Sequence, residues 1–198
     1  MKKNSIKLWI IGIFFLLLLC STKAKAIEVL PEIKAAYFHP TDNRFREIYS
    51  GAGIYSIETS VEAWEGLYPW MSLGFFRQTG RSLEDRFSTH ITLVPIGIGL
   101  KYLLELDKIV PYVGLGMQVT YTRMHDHSPY VDRKFAKWGV GGLAKIGSYL
   151  YFTENFFFDV FCDYSYLKVN YHHPKKKVIN LRADLSSLQF GGGFGYRF

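Results

Sequence analysis

An eight-stranded antiparallel up-and-down transmembrane β-barrel is the all-β fold this sequence predicts, and three observations predict it. Segment after segment alternates bulky apolar residues with small or polar ones, the two-residue period of a strand. The connections between these segments run long, short, long, short, long, short, long. The series rich in glycine is also the series that carries the charges. A membrane barrel has an even strand number, short turns at one end, longer loops at the other, an apolar outer band and a polar interior.

The last stretch, Leu188 to Phe198, shows the pattern most plainly. Leu188, Phe190, Gly192, Phe194, Tyr196 and Phe198 form one series; Gln189, Gly191, Gly193, Gly195 and Arg197 form the other. A bulky face toward lipid and a small, polar face toward the interior suits a barrel stave.

From the start, strand one spans about Glu32 to His39, with Ile33, Ala35 and Tyr37 on one face and Lys34, Ala36 and Phe38 on the other. The loop Pro40 to Ser50 holds Phe45, Ile48 and Tyr49 at helical spacing, with Thr41 or Asp42 as N-cap, so a short helical turn is expected in the first long loop. Strand two (Gly51 to Trp64) sets Tyr55, Ile57, Thr59, Val61 and Ala63 against Ser56, Glu58, Ser60 and Glu62. After a turn at Glu65-Gly66, strand three (Leu67 to Arg77) sets Met71, Leu73 and Phe75 against Ser72, Gly74 and Phe76. A polar linker, Gln78 to Arg86, leads to strand four (Phe87 to Leu104), where Pro95 lacks a ladder donor and a bulge is expected.

The acidic turn Glu105 to Lys108 precedes strand five (Val110 to Met124), and the loop His125 to Arg133 precedes strand six (Phe135 to Tyr151). In strand six Leu143 interrupts the small series of Gly139, Gly141, Lys145 and Gly147. The turn Phe152 to Asn155 leads to strand seven (Phe156 to Tyr171), with Asp159, Phe161, Asp163 and Ser165 inward. The basic loop His172 to Ala183 precedes strand eight. Aromatics near the strand ends are expected to form two interfacial girdles. Trp64, Tyr68, Trp70, Tyr112, Tyr151, Phe156, Tyr196 and Phe198 are assigned to the inner rim; Tyr55, Phe75, Phe87, Tyr121, Trp138 and Tyr166 to the outer.

Residues 1–26 read as a secretory signal. Lys2 and Lys3 form its basic start, Leu8 to Leu19 its apolar stretch and Ala24-Lys25-Ala26 its cleavage site, so the barrel domain is residues 27–198. The apolar stretch is short of the roughly 20 residues that span a bilayer as a helix, and Leu19 is large for a lipoprotein site at Cys20. The net charge of +7 is misleading, because five of the lysines lie in those 26 residues with no Asp or Glu. No nucleic-acid partner is therefore expected. Cys162 is left without a disulfide partner once Cys20 departs.

A soluble eight-stranded barrel also alternates, but it encloses bulky residues and exposes charges. Here the glycine faces of strands four, five, six and eight cannot fill an apolar interior. Placed inside, Glu58, Glu62, Lys101, Lys145, Asp159, Asp163 and Arg197 can pair; on lipid at mid-depth each Lys or Arg would cost about 2–4 kcal/mol. The same assignment predicts that Phe190→Arg impairs insertion far more than Gly191→Arg.

The stretches YFHPTDNRFREIYS, IGIGLKYLLEL, PYVGLGMQVTY, FFFDVFCDYSYLK and the terminal GGGFGYRF, in that order, resemble the outer-membrane β-barrel domain family. They match its small eight-stranded OmpA/OmpX-like barrels, and within them a subgroup with a short helical first loop. The resemblance covers the chain from Ile27 onward. It implies a monomer in the outer membrane of a Gram-negative, diderm bacterium, among outer-membrane lipids and lipopolysaccharide. It also implies that Phe198 is the C-terminal aromatic read by the barrel-assembly machinery.

Candidate chemistry is sparse. His125-Asp126-His127 could pair two metal ligands but has no third nearby, so no metal is expected. His127-Ser128 departs from the spacing of outer-membrane deacylases, so no catalytic residue and no cofactor is assigned. Glu58/Glu62 and Asp159/Asp163 each lie four apart on one strand, roughly 13 Å, too far for a glycosidase pair. Lys175-Lys176-Lys177 is a candidate holder of lipopolysaccharide phosphates. The expected role is structural or surface-interactive: envelope integrity, adhesion or binding of a host or surface ligand through the outer loops, around a filled, ion-paired interior. The alternatives are a small gated conduit for ions or apolar solutes and, third, a lipid A-modifying enzyme.

Overall fold

A computed structural model describes residues 27–81, 88–126, 134–172 and 180–198. Residues 1–26, read above as a signal, together with Phe87, His127, Ser128 and Lys175 to Lys177 lie outside them. The strands are β1 (Val29–Pro40), β2 (Ala52–Val61), β3 (Leu67–Arg81), β4 (Ser88–Leu103), β5 (Ile109–Asp126), β6 (Lys134–Tyr151), β7 (Phe156–His172), β8 (Asn180–Asp184) and β9 (Ser187–Tyr196). One helix, α1 (Asn43–Tyr49), lies between β1 and β2.

All pairings are antiparallel, each strand from β1 to β7 follows its predecessor, and β9 joins β7 to β1. The sheet is thereby closed into an eight-stave up-and-down barrel, with β8 and β9 as two pieces of the eighth stave. Closure through β9 pairs the eighth stave on both sides, removing there the unpaired edge that a sheet in hydrocarbon cannot tolerate.

The eighth stave breaks where its neighbour ends. β9 pairs with both β7 and β1 as far as Ser187, whereas β8 pairs with β7, from Lys168↔Asp184 to His172↔Asn180. At the join the Leu167 amide donates to Ser186 Oγ at 3.1 Å, so a side chain replaces the missing ladder carbonyl. The Ser186 carbonyl accepts from both the amide and the hydroxyl of Thr41, each at 3.0 Å, just where β1 gives way to α1. The residues of β8 fall within or next to the stretch expected to be a loop; their weak alternation hides a strand held from one side.

Two further expectations are corrected. Pro95 causes no bulge: β4 keeps one register with β5 throughout, and with β3 the pairs Leu73↔Ile96 and Phe76↔Leu93 share one register across a short gap. The missing N–H is on the β3 side, and Gly74 makes room for the ring, since a Cβ there would lie 2.8 Å from Pro95 Cγ. The β3–β4 hairpin also extends to Arg81↔Ser88, through part of the expected linker.

α1 takes Asp42 as its N-cap, the side chain accepting from the Phe45 amide at 2.9 Å. Phe45 and Tyr49 turn into the barrel mouth, and Tyr49 Oη lies 2.9 Å from Thr89 Oγ1. They join Phe38, Ile54, Phe76, Ile91, Leu93, Leu167, Val169 and Leu185 in an apolar cluster that fills this far end of the interior. A second cluster fills the end nearer the chain termini, around Leu30, Tyr68, Leu103, Tyr112, Tyr149, Phe157 and Phe161. The interior is thus not all small and polar. Large rings from some staves lie across glycines of others: a Cβ on Gly195 would meet the Phe157 ring at 2.1 Å. Tyr68, Trp70 and Tyr112, assigned to a girdle, are buried in the interior instead.

The outside is the reverse. Ile33, Tyr55, Ile57, Met71, Ile98, Leu115, Val140, Ile146, Phe190 and Phe194 are all exposed, a continuous apolar band. Trp64, Phe156 and Phe198 are exposed at one end of it, and Tyr55, Phe75, Trp138 and Tyr166 toward the other.

Candidate functional site

Between the two apolar clusters lies a layer of ions. Lys34 and Glu32 come from β1, Glu58 from β2, Lys101 from β4, Lys145 from β6, and Asp159 and Asp163 from β7. Each residue is on the inward series of its strand, and each is buried, with Lys101 and Asp159 wholly so. Strand alternation explains their facing; barrel tilt and stagger bring residues of distant sequence to one height.

The pairs are close and shared. Lys34 Nζ lies 2.8 Å from Asp159 Oδ2, with Glu32 at 3.8 Å and Glu58 at 4.0 Å. Lys101 Nζ contacts Glu58 and lies 3.2 Å from Glu32 Oε1. Lys145 Nζ bridges Glu58 Oε2 at 2.8 Å and Asp163 Oδ2 at 2.6 Å. Three ammonium groups therefore face four carboxylates. Tyrosines offset the surplus anion: Tyr112 donates to both oxygens of Asp159 at 3.1 Å, and Tyr149 donates to Glu32 at 3.3 Å while accepting from Lys101 at 2.7 Å. Rings complete the enclosure, with Lys34 Nζ 3.9 Å from the Phe161 centroid and Lys145 Nζ 4.7 Å from that of Trp70.

Five of the seven ion-pair candidates meet in this layer: Glu58, Lys101, Lys145, Asp159 and Asp163. Glu62 and Arg197 do not. Arg197 pairs with Glu28 at the mouth nearer the termini, and Glu62 lines the same mouth. Their position near a strand end puts both beyond the layer. Glu32 and Lys34 were not among those candidates: alternation put Lys34 on one face with Ala36 and Phe38, and that mixed series did not say which side is inward. Tyr112 and Tyr149 had no signal beyond their places on an inward series.

His125 stands near the far end of β5, on its outward face opposite His90, rather than on a loop tip. Among the described residues no group of three His, Cys, Asp or Glu side chains could hold a metal ion. Cys162 is a free, half-buried thiol. Phe198 is exposed, its amide donating to the Val29 carbonyl at 3.1 Å and its ring 4.6 Å from that of Tyr196.

No family model matches the chain, and no curated protein matches it. Solved structures do share the fold, and they are small eight-stranded outer-membrane barrels. The outer membrane protein OprG from Pseudomonas aeruginosa aligns with a TM-score of 0.65 at 15% identity, over 88% of this chain and 97% of that one. Ail, the attachment invasion locus protein of Yersinia pestis, in complex with the heparin analogue sucrose octasulfate, aligns at 0.56 and 14% identity, over 88% and 100%. Escherichia coli outer membrane protein W aligns at 0.56 and 16% identity, over 89% and 100%.

Proposed function

We propose that the chain is a monomeric outer-membrane barrel of a Gram-negative bacterium that acts at its surface, with a closed interior and no catalytic role. In this reading the chain is exported by its first 26 residues and inserted by the barrel-assembly machinery reading Phe198. Its termini then face the periplasm, and α1 and the long hairpins face outward.

The ion layer carries the proposal. Each lysine in it touches at least two carboxylates, and an apolar cluster lies on either side. A hydrated ion would have to break several buried pairs to pass, at several kcal/mol for each charge left unpaired. What remains for function is the outer end, where binding through loops suits adhesion, envelope integrity or a host ligand. Ail's complex with a polysulfated ligand shows that a barrel of this fold can engage a polyanion, and Lys175 to Lys177 give this chain a basic run of its own.

Planar bilayers test the closed interior. The refolded barrel is expected to be electrically silent. Stepwise conductance in the wild type, persisting in Glu58→Gln and Lys101→Met, would refute it.

One observation favours a second reading. The far-end interior is apolar and lies beside the break in the eighth stave. Small apolar solutes, rather than ions, are what such a lining would admit. Uptake of an apolar probe by expressing cells, abolished by Leu93→Lys, would support that conduit over the surface role.

A further inference from the structure

On the outer wall of β3, β4 and β5, just past the aromatic belt, the barrel carries basic side chains where it should otherwise be apolar or neutral. Arg77, His90, Thr92, Arg123 and His125 line one shallow concavity, and none of the five is acidic. They belong to the outward series: Arg77 continues Met71, Leu73 and Phe75, and Arg123 continues Met117, Val119 and Tyr121. The ladder fixes their arrangement. Arg77 and Arg123 are the two cross-strand partners of Thr92, and His90 and His125 are partners in the next row outward. Thr79 Oγ1 lies 2.8 Å from His90 Nδ1 in that same row. Two interstrand spacings separate the arginine backbones, roughly 9.5 Å.

The row below locates this patch in depth. Tyr121 and Trp138 are partners with ring centroids 5.1 Å apart, and Phe75 lies at the same level on β3. Such rings mark the boundary of the hydrocarbon. The arginines are two residues farther out, roughly 7 Å along the strand, at the level of headgroups rather than acyl chains. Both are exposed. The guanidinium fork matches phosphate oxygens in a bidentate fashion, and two of them flanking a threonine hydroxyl make a site for a phosphorylated headgroup.

We infer that this wall patch, centred on Arg77 and Arg123, binds the phosphates of lipid A in the outer leaflet. It is distinct in sequence from the Lys175–Lys177 run, which lies outside the described residues. The inference rests on the outer-membrane placement proposed above, with the long hairpins outward.

Native mass spectrometry of the barrel in mild detergent, with lipid A added, tests it. The wild type is expected to retain bisphosphorylated lipid A. Arg77→Gln/Arg123→Gln should retain it about thirtyfold less tightly, from about a factor of five for each Arg near an anionic surface. Lys175→Gln/Lys176→Gln/Lys177→Gln should change it little, and dephosphorylated lipid A should bind the wild type as weakly as the arginine variant binds the native lipid. Folding is checked for every variant by heat-modifiable migration on a gel. A folded arginine variant with undiminished retention, or equal retention of dephosphorylated lipid A, overturns the inference. So does complete displacement by millimolar inorganic phosphate, which would mark a site for the free anion. Absence of the wild type from the outer-membrane fraction would instead remove the placement on which both proposals stand.

Discussion

Glu32 and Glu58 are direct partners across the β1–β2 ladder, two buried carboxylates on one inward face. Like charges directly opposite one another destabilise a sheet. The pair is tolerated because Lys101, from β4, places its ammonium group in contact with both. A contact spanning 69 residues of sequence thus decides whether two adjacent staves can pair.

Removing that cation should be costly. Lys101→Met leaves the two carboxylates with only the more distant Lys34 in common, at 3.8 and 4.0 Å, and breaking a buried pair on one side costs about 3–5 kcal/mol. Lys101→Met combined with Glu32→Gln and Glu58→Gln should recover most of that loss, because the charge to be compensated is gone. Urea unfolding in lipid vesicles, followed by tryptophan fluorescence, measures both. Equal stability of Lys101→Met and the wild type would contradict the coupling.

The lipid-facing assignment predicts that Phe190→Arg loses about 2–4 kcal/mol of stability in the membrane, while Phe190→Leu loses far less. Outer-membrane yield and heat-modifiable migration give the comparison. Gly191→Arg is not the mild control that alternation alone suggested. A Cβ at Gly191 would lie 2.1 Å from the Ala35 carbonyl oxygen and 2.6 Å from Ala36 Cα. The wall of β1 presses on it, and Gly191→Ala should already impair assembly.

Glycine and ring are complementary at Gly195 and Phe157, where the nearest atoms to an added Cβ all belong to the Phe157 ring. Gly195→Ala should therefore cost about 1–3 kcal/mol by overpacking, and Phe157→Ala about 3–5 kcal/mol through the cavity it leaves. The double variant should be more stable than the sum of the two losses requires, by at least 0.5 kcal/mol. Strict additivity in urea unfolding would rule out the contact.

The cap of α1 can be tested without touching the staves. Asp42→Ala removes the acceptor for the Phe45 amide and should cost the helix about 1 kcal/mol. Limited trypsin digestion of the folded barrel should then cut sooner after Arg46, with the staves still protected. An unchanged cleavage rate would show that α1 is held by Phe45 and Tyr49 alone.

Strand alternation determined a great deal by sequence alone. It set the number of staves, the face of Lys101, Lys145, Asp159 and Asp163, and the outward band from Ile57 to Phe194. The helical spacing of Phe45, Ile48 and Tyr49 located α1 in the same way. These features are legible because a period of two or of 3.6 is a property of the local chain.

Height in the barrel is not such a property. Tilt and stagger between staves decide which inward residues from distant strands meet. Only the tertiary structure therefore joined Lys34 to Asp159, left Glu62 and Arg197 at the mouth, and drew Tyr68, Trp70 and Tyr112 from an expected girdle into the interior. The break at Ser186 has the same origin: it depends on where β1 stops beside it, and Thr41, which marks that point, lies 145 residues away in sequence.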